Sequence, residues 1–136
     1  MANKTTKYAS AWYALAATRI LLGFVFLWAF LDKAFGLGVA TKASNAWLAG
    51  GSPTSGFLQM GVNPESPFAE FFHSLAGSSV VDYLFMLGLL GIGVALLLGV
   101  GLRIAAVTGT VLLLMMWAAS LPLENNPLVD DHVVYA

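Results

Sequence analysis

Apolar and polar positions divide the chain into three long apolar runs, 11–33, 82–101 and 103–121, separated by one long mixed segment and one very short turn. A helix rises about 1.5 Å per residue, so a run of about 20 residues crosses a hydrocarbon core of about 30 Å. The second and third runs meet at Gly99-Val100-Gly101-Leu102-Arg103. So short a connection makes their helices antiparallel neighbours. The second run carries Gly91, Ala95 and Gly99 on one line and Gly93 and Gly101 on another; the third carries Ala105 and Gly109. Small residues let helix backbones approach closely where lipid supplies no hydrophobic drive, so this pattern predicts a tight transmembrane hairpin. The first run follows a basic start with Lys4 and Lys7, as a signal peptide would. Its length, Arg19 inside it and the lack of a small-x-small site directly after it favour a spanning helix.

Residues 37–79 form the longest segment outside the spans. Gly50-Gly51-Ser52-Pro53 and Asn63-Pro64 are turn signals. Ser66-Pro67 suits an N-cap and first helical position. Phe68, Phe71, Phe72 and Leu75 then recur at helical spacing, and Gly77 can stop the helix. This predicts a short amphipathic helix lying on the membrane surface, apolar face down. Pro122 ends the third span and opens an acidic loop. Asp130-Asp131 before Val133-Val134-Tyr135-Ala136 looks like a helix start, where acids favour the positive end of the dipole. A fourth spanning helix is expected here and is missing from this chain. The predicted fold is all-α: a polytopic membrane helical bundle, one domain over 1–136, with three spanning helices and a short interfacial helix.

Composition agrees with a lipid-facing chain. Hydrophobic residues make up 59% and charged residues 10%, and the mean hydropathy is +0.82; a soluble domain is about 25% charged. A net charge of -1 offers no basic field for nucleic acid. There is no cysteine, which removes disulfides, thiol redox chemistry, iron–sulfur clusters and thiolate metal sites. The two histidines, His73 and His132, both lie outside the spans, so a haem held by two histidines is not expected, nor is a metal site. Electrons passing through this protein would need a bound organic carrier or another subunit. With the N-terminus cytoplasmic, Lys4, Lys7 and Arg103 lie inside, Lys33 and Lys42 lie outside, and all 7 acids fall outside. The expectation is a multi-pass protein of the cell (plasma) membrane, in contact with lipid and other membrane subunits.

Arg19 lies near the middle third of the first predicted span. A charge at mid-span costs about 2.5–3.5 kcal/mol on insertion scales, so it should face protein or water. Its guanidinium could bind an anion or a quinone carbonyl, or it could snorkel to the interface or tether neighbouring carbonyls. Asp32-Lys33 closes that span and reads as an interfacial anchor. Trp28 and Trp117 approach the outer face; they belong to an aromatic belt or floor a quinone-sized pocket. Asp130-Asp131-His132 is a compact acid–imidazole set. It is a solvated helix start, or a proton-exchanging group with Asp131 and His132 as its catalytic candidates.

Three stretches together resemble the DoxX family of small membrane proteins, including its thiosulfate:quinone oxidoreductase (DoxD-like) relatives. The first is Arg19 followed by Gly23-Phe24-Val25-Phe26-Leu27-Trp28 and Lys33. The second is Leu96-Leu97-Leu98-Gly99-Val100-Gly101-Leu102-Arg103 running into Ile104-Ala105-Ala106. The third is Asn125-Asn126-Pro127-Leu128-Val129-Asp130-Asp131-His132. The resemblance implies a four-helix bundle with both termini inside, serving a membrane oxidoreductase that in some members passes electrons from sulfur compounds to quinone. Two readings follow. In one, the chain is a quinone-linked subunit: Arg19 holds a carbonyl, Trp28 and Trp117 line the ring, and Asp131 and His132 handle protons. In the other it is a non-catalytic accessory subunit that anchors or stabilises a larger membrane complex. A transporter is disfavoured, because the helices show no internal repeat.

Overall fold

The computed structural model describes residues 2–124 and 126–136, with side chains from Tyr8 on. Asn125, part of the C-terminal motif, and the side chains of Lys4 and Lys7 lie outside the described residues. The fold is all-helical, with 72% of residues in helix. Its helices are α1 (Ala2–Phe35), α2 (Ala69–Leu75), α3 (Ser79–Leu98), α4 (Leu102–Ser120) and α5 (Asp131–Tyr135). Tyr8–Phe35, Ser79–Leu98 and Leu102–Ser120 are long and apolar enough to cross a membrane. The three predicted spans are thus present, each with its limits moved by a few residues. No fourth long helix occurs among the described residues: α5 has 5 residues. It runs back along α4, where Thr110 Oγ1 donates to the Ala136 carbonyl at 3.2 Å.

The α3–α4 connection turns on two glycines. Gly99 (φ 74°) and Gly101 (φ 64°) are both left-handed, a conformation that costs a residue with a Cβ about 1–2 kcal/mol. Gly99 closes α3 with its N–H on the Ala95 carbonyl at 2.9 Å. The hairpin is antiparallel as expected, but the closest helix approach lies elsewhere. A Cβ on Gly93 would sit 2.8 Å from the Leu27 nitrogen and 3.1 Å from the Gly23 carbonyl, so α3 presses its backbone against α1. Gly88 and Gly91 meet nothing within 4 Å. The small residues therefore seal α1 to α3, while part of the seam between α3 and α4 stays open.

Arg19 lies against Gly99, Gly23 against Leu97, and Leu27 against Gly93. This antiparallel register sets Arg19 level with the α3–α4 turn. Residues 2–18 then continue α1 beyond the turn by about 25 Å. The core of the helix bundle comprises Phe26, Ala34, Met86, Leu89 and Ile92. A second core forms where the long loop meets the C-terminal end of α4: Leu58, Val62, Ala69, Phe72 and Ala119.

Buried polar groups fasten that loop. Asp32, 2% exposed, accepts from the Val39 and Ala40 N–H groups at 3.2 and 3.0 Å. Gly36 (φ 66°) lets the chain turn back beneath them; a Cβ there would lie 2.6 Å from Ala43 Cα. Asp82, in the first turn of α3, accepts from Ser52 Oγ at 2.8 Å, the Thr54 N–H at 3.3 Å and the Thr54 hydroxyl. The last carbonyls of α4 lack intrahelical donors, as at any helix end. The Asn63 N–H donates to Ala119 at 2.9 Å and Ser66 Oγ to Ala118 at 2.9 Å. Ser66 was expected to start the short helix. It does so, its Oγ accepting the Phe68 N–H at 3.3 Å and its carbonyl the Ala69 N–H at 3.0 Å, while the same hydroxyl is donated to α4; the regular turns of α2 begin at Ala69. That helix is not simply laid on lipid: Ala69 and Phe72 are buried on the protein, while Phe68 and Phe71 are exposed.

Candidate functional site

The three residues expected to share a quinone pocket are held apart. Arg19 and Trp28 are nine positions apart on α1, about 13 Å along the axis. The Arg19 guanidinium rests on Gly99 at the turn end of α3. Trp28 stands one position beyond Leu27, which packs on Gly93, and its ring tilts against Phe24 with centroids 6.0 Å apart. Trp117 is close to the opposite end, where its Nε1 donates to the Leu128 carbonyl at 3.1 Å. Trp28 is thus a mid-height surface residue, and Trp117 ties the C-terminal loop to α4.

An apolar cavity of about 170 Å³ does occur at the loop end, where all three long helices and the loop converge. Its walls are Phe57, Phe72, Phe85, Leu112 and Met116, and Lys33 is its one charged residue. Each wall has a separate origin. Phe85 and Leu112 face each other from α3 and α4, Phe72 comes from the buried face of α2, and Phe57 opens the turn Phe57–Gly61. Asp82 fixes the segment carrying Pro53 and Thr54, which completes the lining. Lys33 and Asp32 do divide their tasks, as sequence neighbours on a helix must. Asp32 turns to the loop N–H groups while Lys33 reaches the cavity.

Above it lies a polar cavity of about 470 Å³, lined by Thr41, Asn45, Ser52, Ser55 and Gln59. Lys33, Pro53 and Phe57 line both chambers. Lys33 therefore stands between an apolar slot and a more polar chamber. That arrangement suits an amphiphile with a ring in the slot and a polar edge at the ammonium.

The acid–imidazole set lies in a third cavity, about 640 Å³, between residues 60–64 and the C-terminal segment. Its ordered pair is Asp130 and His132, not Asp131 and His132: Nδ1 of His132 is 2.7 Å from Asp130 Oδ2. Asp130 Oδ1 also accepts the Val133 N–H at 3.2 Å, which makes it the N-cap of α5. Burial pushes the Asp130 carboxyl up, but the bonds from His132 and Val133 and the His132 charge outweigh it and hold it below the ordinary 3.8. Asp131 is exposed on the cavity rim. The helix start predicted at Asp130-Asp131 is present. Among the described residues no three His, Cys, Asp or Glu side chains converge as a metal site.

The sequence marks Lys33 only as an interfacial anchor and Phe72 only as part of the apolar face of the short helix, and it singles out neither Phe57 nor Phe85 nor a role for Asp82. The available signal was a lone aspartate in the first turn of an otherwise apolar span. Neither a protein-family model nor a curated protein nor a solved structure matches this chain.

Proposed function

We propose that this chain is a DoxX-like integral membrane subunit of a quinone-linked oxidoreductase, and that the quinone head group binds in the slot at Lys33. The observation that carries this reading is the slot's size and lining. A cavity of about 150 Å³ holds one benzene ring, so about 170 Å³ takes a single ring and leaves any isoprenoid tail to the lipid. Three phenylalanines can contact the ring faces and edges. The Lys33 ammonium can donate a hydrogen bond to a ring carbonyl and favour negative charge developing on that oxygen. A bound quinone would supply two-electron, two-proton redox chemistry; the electrons come from another subunit or a soluble donor. The cavity beside Asp130 and His132 offers carboxylate and imidazole groups for proton exchange. The stretches running from Arg19 to Lys33 and from Leu96 to Ala106, with the C-terminal Asn126–His132 portion, support the family assignment.

The proposed setting is the plasma membrane with the N-terminus cytoplasmic. Lys4, Lys7, Arg19 and Arg103 occupy the turn end, whereas the acids Asp32, Asp82, Glu124, Asp130 and Asp131 cluster at the loop end. The positive-inside rule then puts the turn end in the cytoplasm.

A second reading, a non-catalytic accessory subunit, is favoured by the overhang of α1. Trp12 (71%), Tyr13 (77%) and Leu15 (62%) are exposed on the helix segment that runs past the α3–α4 turn. Extraction from the native membrane in mild detergent, followed by mass spectrometry of lipids and proteins, separates the two. Stoichiometric quinone on the wild type, reduced at least tenfold in Lys33→Met, is the outcome expected. Quinone retained in full by Lys33→Met refutes the site, and co-purifying subunits with no quinone on this chain favour the accessory reading.

A further inference from the structure

The slot at Lys33 has a closed end and an open one. Thr54, Leu58 and Phe72 of its lining are buried, whereas Met115 is 41% exposed. The buried three are fixed from behind. Thr54 donates its N–H and its hydroxyl to Asp82, and Leu58 and Phe72 belong to the core formed with Val62, Ala69 and Ala119. At the other end Met115, with Phe85 and Leu112, also lines an apolar cavity of about 320 Å³ between α3 and α4. Leu84, Val107 and Val111 of that cavity are exposed on the flank of the hairpin. The slot therefore gives on lipid past Met115 and stops at Leu58 and Phe72.

A membrane quinone carries its isoprenoid tail on one edge of the quinone ring. A fused second ring, where there is one, occupies the opposite edge. A tail that leaves past Met115 thus drives the opposite edge against the closed end. The slot measures about 170 Å³ in all, and about 150 Å³ is what one benzene ring takes up. A second ring would have to displace the closed end itself. Packed interiors admit extra atoms only by forcing side chains off their rotamers or by shifting backbone, a cost of about tenfold or more in binding.

We infer that the slot is specific for single-ring quinones and rejects fused two-ring ones, with Leu58 and Phe72 as the stop that sets its depth. This specificity rests on the quinone reading of the Lys33 slot, to which it adds the class of ring. Leu58 and Phe72 come from the turn Phe57–Gly61 and from α2. The long loop, and not the spanning helices, therefore determines which ring is accepted.

The test titrates the full chain in mild detergent with two probes that share one short isoprenoid tail, a dimethylbenzoquinone and a methylnaphthoquinone, and reads binding by native mass spectrometry. Binding is scored as the part lost in Lys33→Met, which sets aside partition into the micelle. The wild type is expected to hold the benzoquinone more tightly by about tenfold or more. Leu58→Ala deepens the closed end and is expected to lose most of that preference by admitting the naphthoquinone. Phe72→Leu trims the same wall from α2 and is expected to do the same, which keeps the test open if Leu58→Ala does not fold. Equal or reversed Lys33-dependent binding of the two probes by the wild type overturns the single-ring specificity and leaves the site standing. So does a preference unchanged in every wall variant that folds. No Lys33-dependent binding of either probe overturns the site and its specificity together.

Discussion

Gly93→Ala tests the α1–α3 contact on which the register of the whole bundle depends. The new Cβ would lie 2.8 Å from the Leu27 nitrogen, 3.0 Å from Leu27 Cα and 3.1 Å from the Gly23 carbonyl, where ordinary contacts are 3.4–4 Å. All three neighbours are backbone atoms, so no side chain can rotate away and the helices must separate by about half an ångström. A gap of 0.5–1 Å forfeits about a quarter to a half of each dispersion contact along the seam. Overpacking of this kind costs about 1–3 kcal/mol. Alanine also gains up to about 1 kcal/mol of helix propensity over glycine, which would mask part of the loss. Gly91→Ala is the matched control: it makes the same exchange on the same helix and meets nothing within 4 Å. The difference between the two variants isolates the close approach. At this chain length, about 4 °C per kcal/mol gives an expected gap of about 4–12 °C. Thermal unfolding of both full-length variants in one detergent measures it. If Gly93→Ala melts with or above Gly91→Ala, the α1–α3 contact is not the tight seam of the bundle.

Asp82→Ala should release the segment at Ser52–Thr54, because it strands the buried Thr54 N–H and hydroxyl. The loss is about 3 kcal/mol, roughly 100-fold in the locally open population, and limited proteolysis within residues 37–79 should accelerate accordingly; unchanged cleavage counts against the pin. For Asp130, the folded carboxyl lies below its ordinary 3.8. Its bond to the start of α5 is therefore fully present above that value and is lost as pH falls through the lowered one. The Val133 amide resonance in micelles should move with a midpoint below 3.8, and Asp130→Asn should abolish the step. A wild-type midpoint at or above 3.8 refutes the assignment.

The three spans were legible because length and hydropathy suffice for them, and Gly99 and Gly101 marked the turn by their conformational freedom. Helix partnership was not legible. Small residues occur on two faces of α3, and nothing local distinguishes the Gly93 face, which meets α1, from the Gly91 face, which stays open. That Arg19 lies level with the α3–α4 turn was not legible for a related reason. A 34-residue helix packed against a 20-residue one must overhang, and which end overhangs is a property of the pair. The choice of Asp131 over Asp130 as the partner of His132 was also beyond sequence. It depends on which carboxylate the helix start turns inward, and the N-cap position at Asp130 decides that.

The same physics explains why the polar chemistry gathers at the loop end. Within the bundle a charged group would need a partner at its own depth, and α3 and α4 supply only apolar side chains and glycine over most of their length. At the loop end the chain contributes hydroxyls and backbone N–H groups, which is how Asp32, bonded at both oxygens, and Asp82, bonded three times at Oδ1, can be buried. They spend their charge on holding the loop. Lys33 and Lys42 both lack an ion-pair partner among the described residues, and of the two Lys33 is the one that lines the apolar slot, so loop-end charge and apolar space meet at that residue.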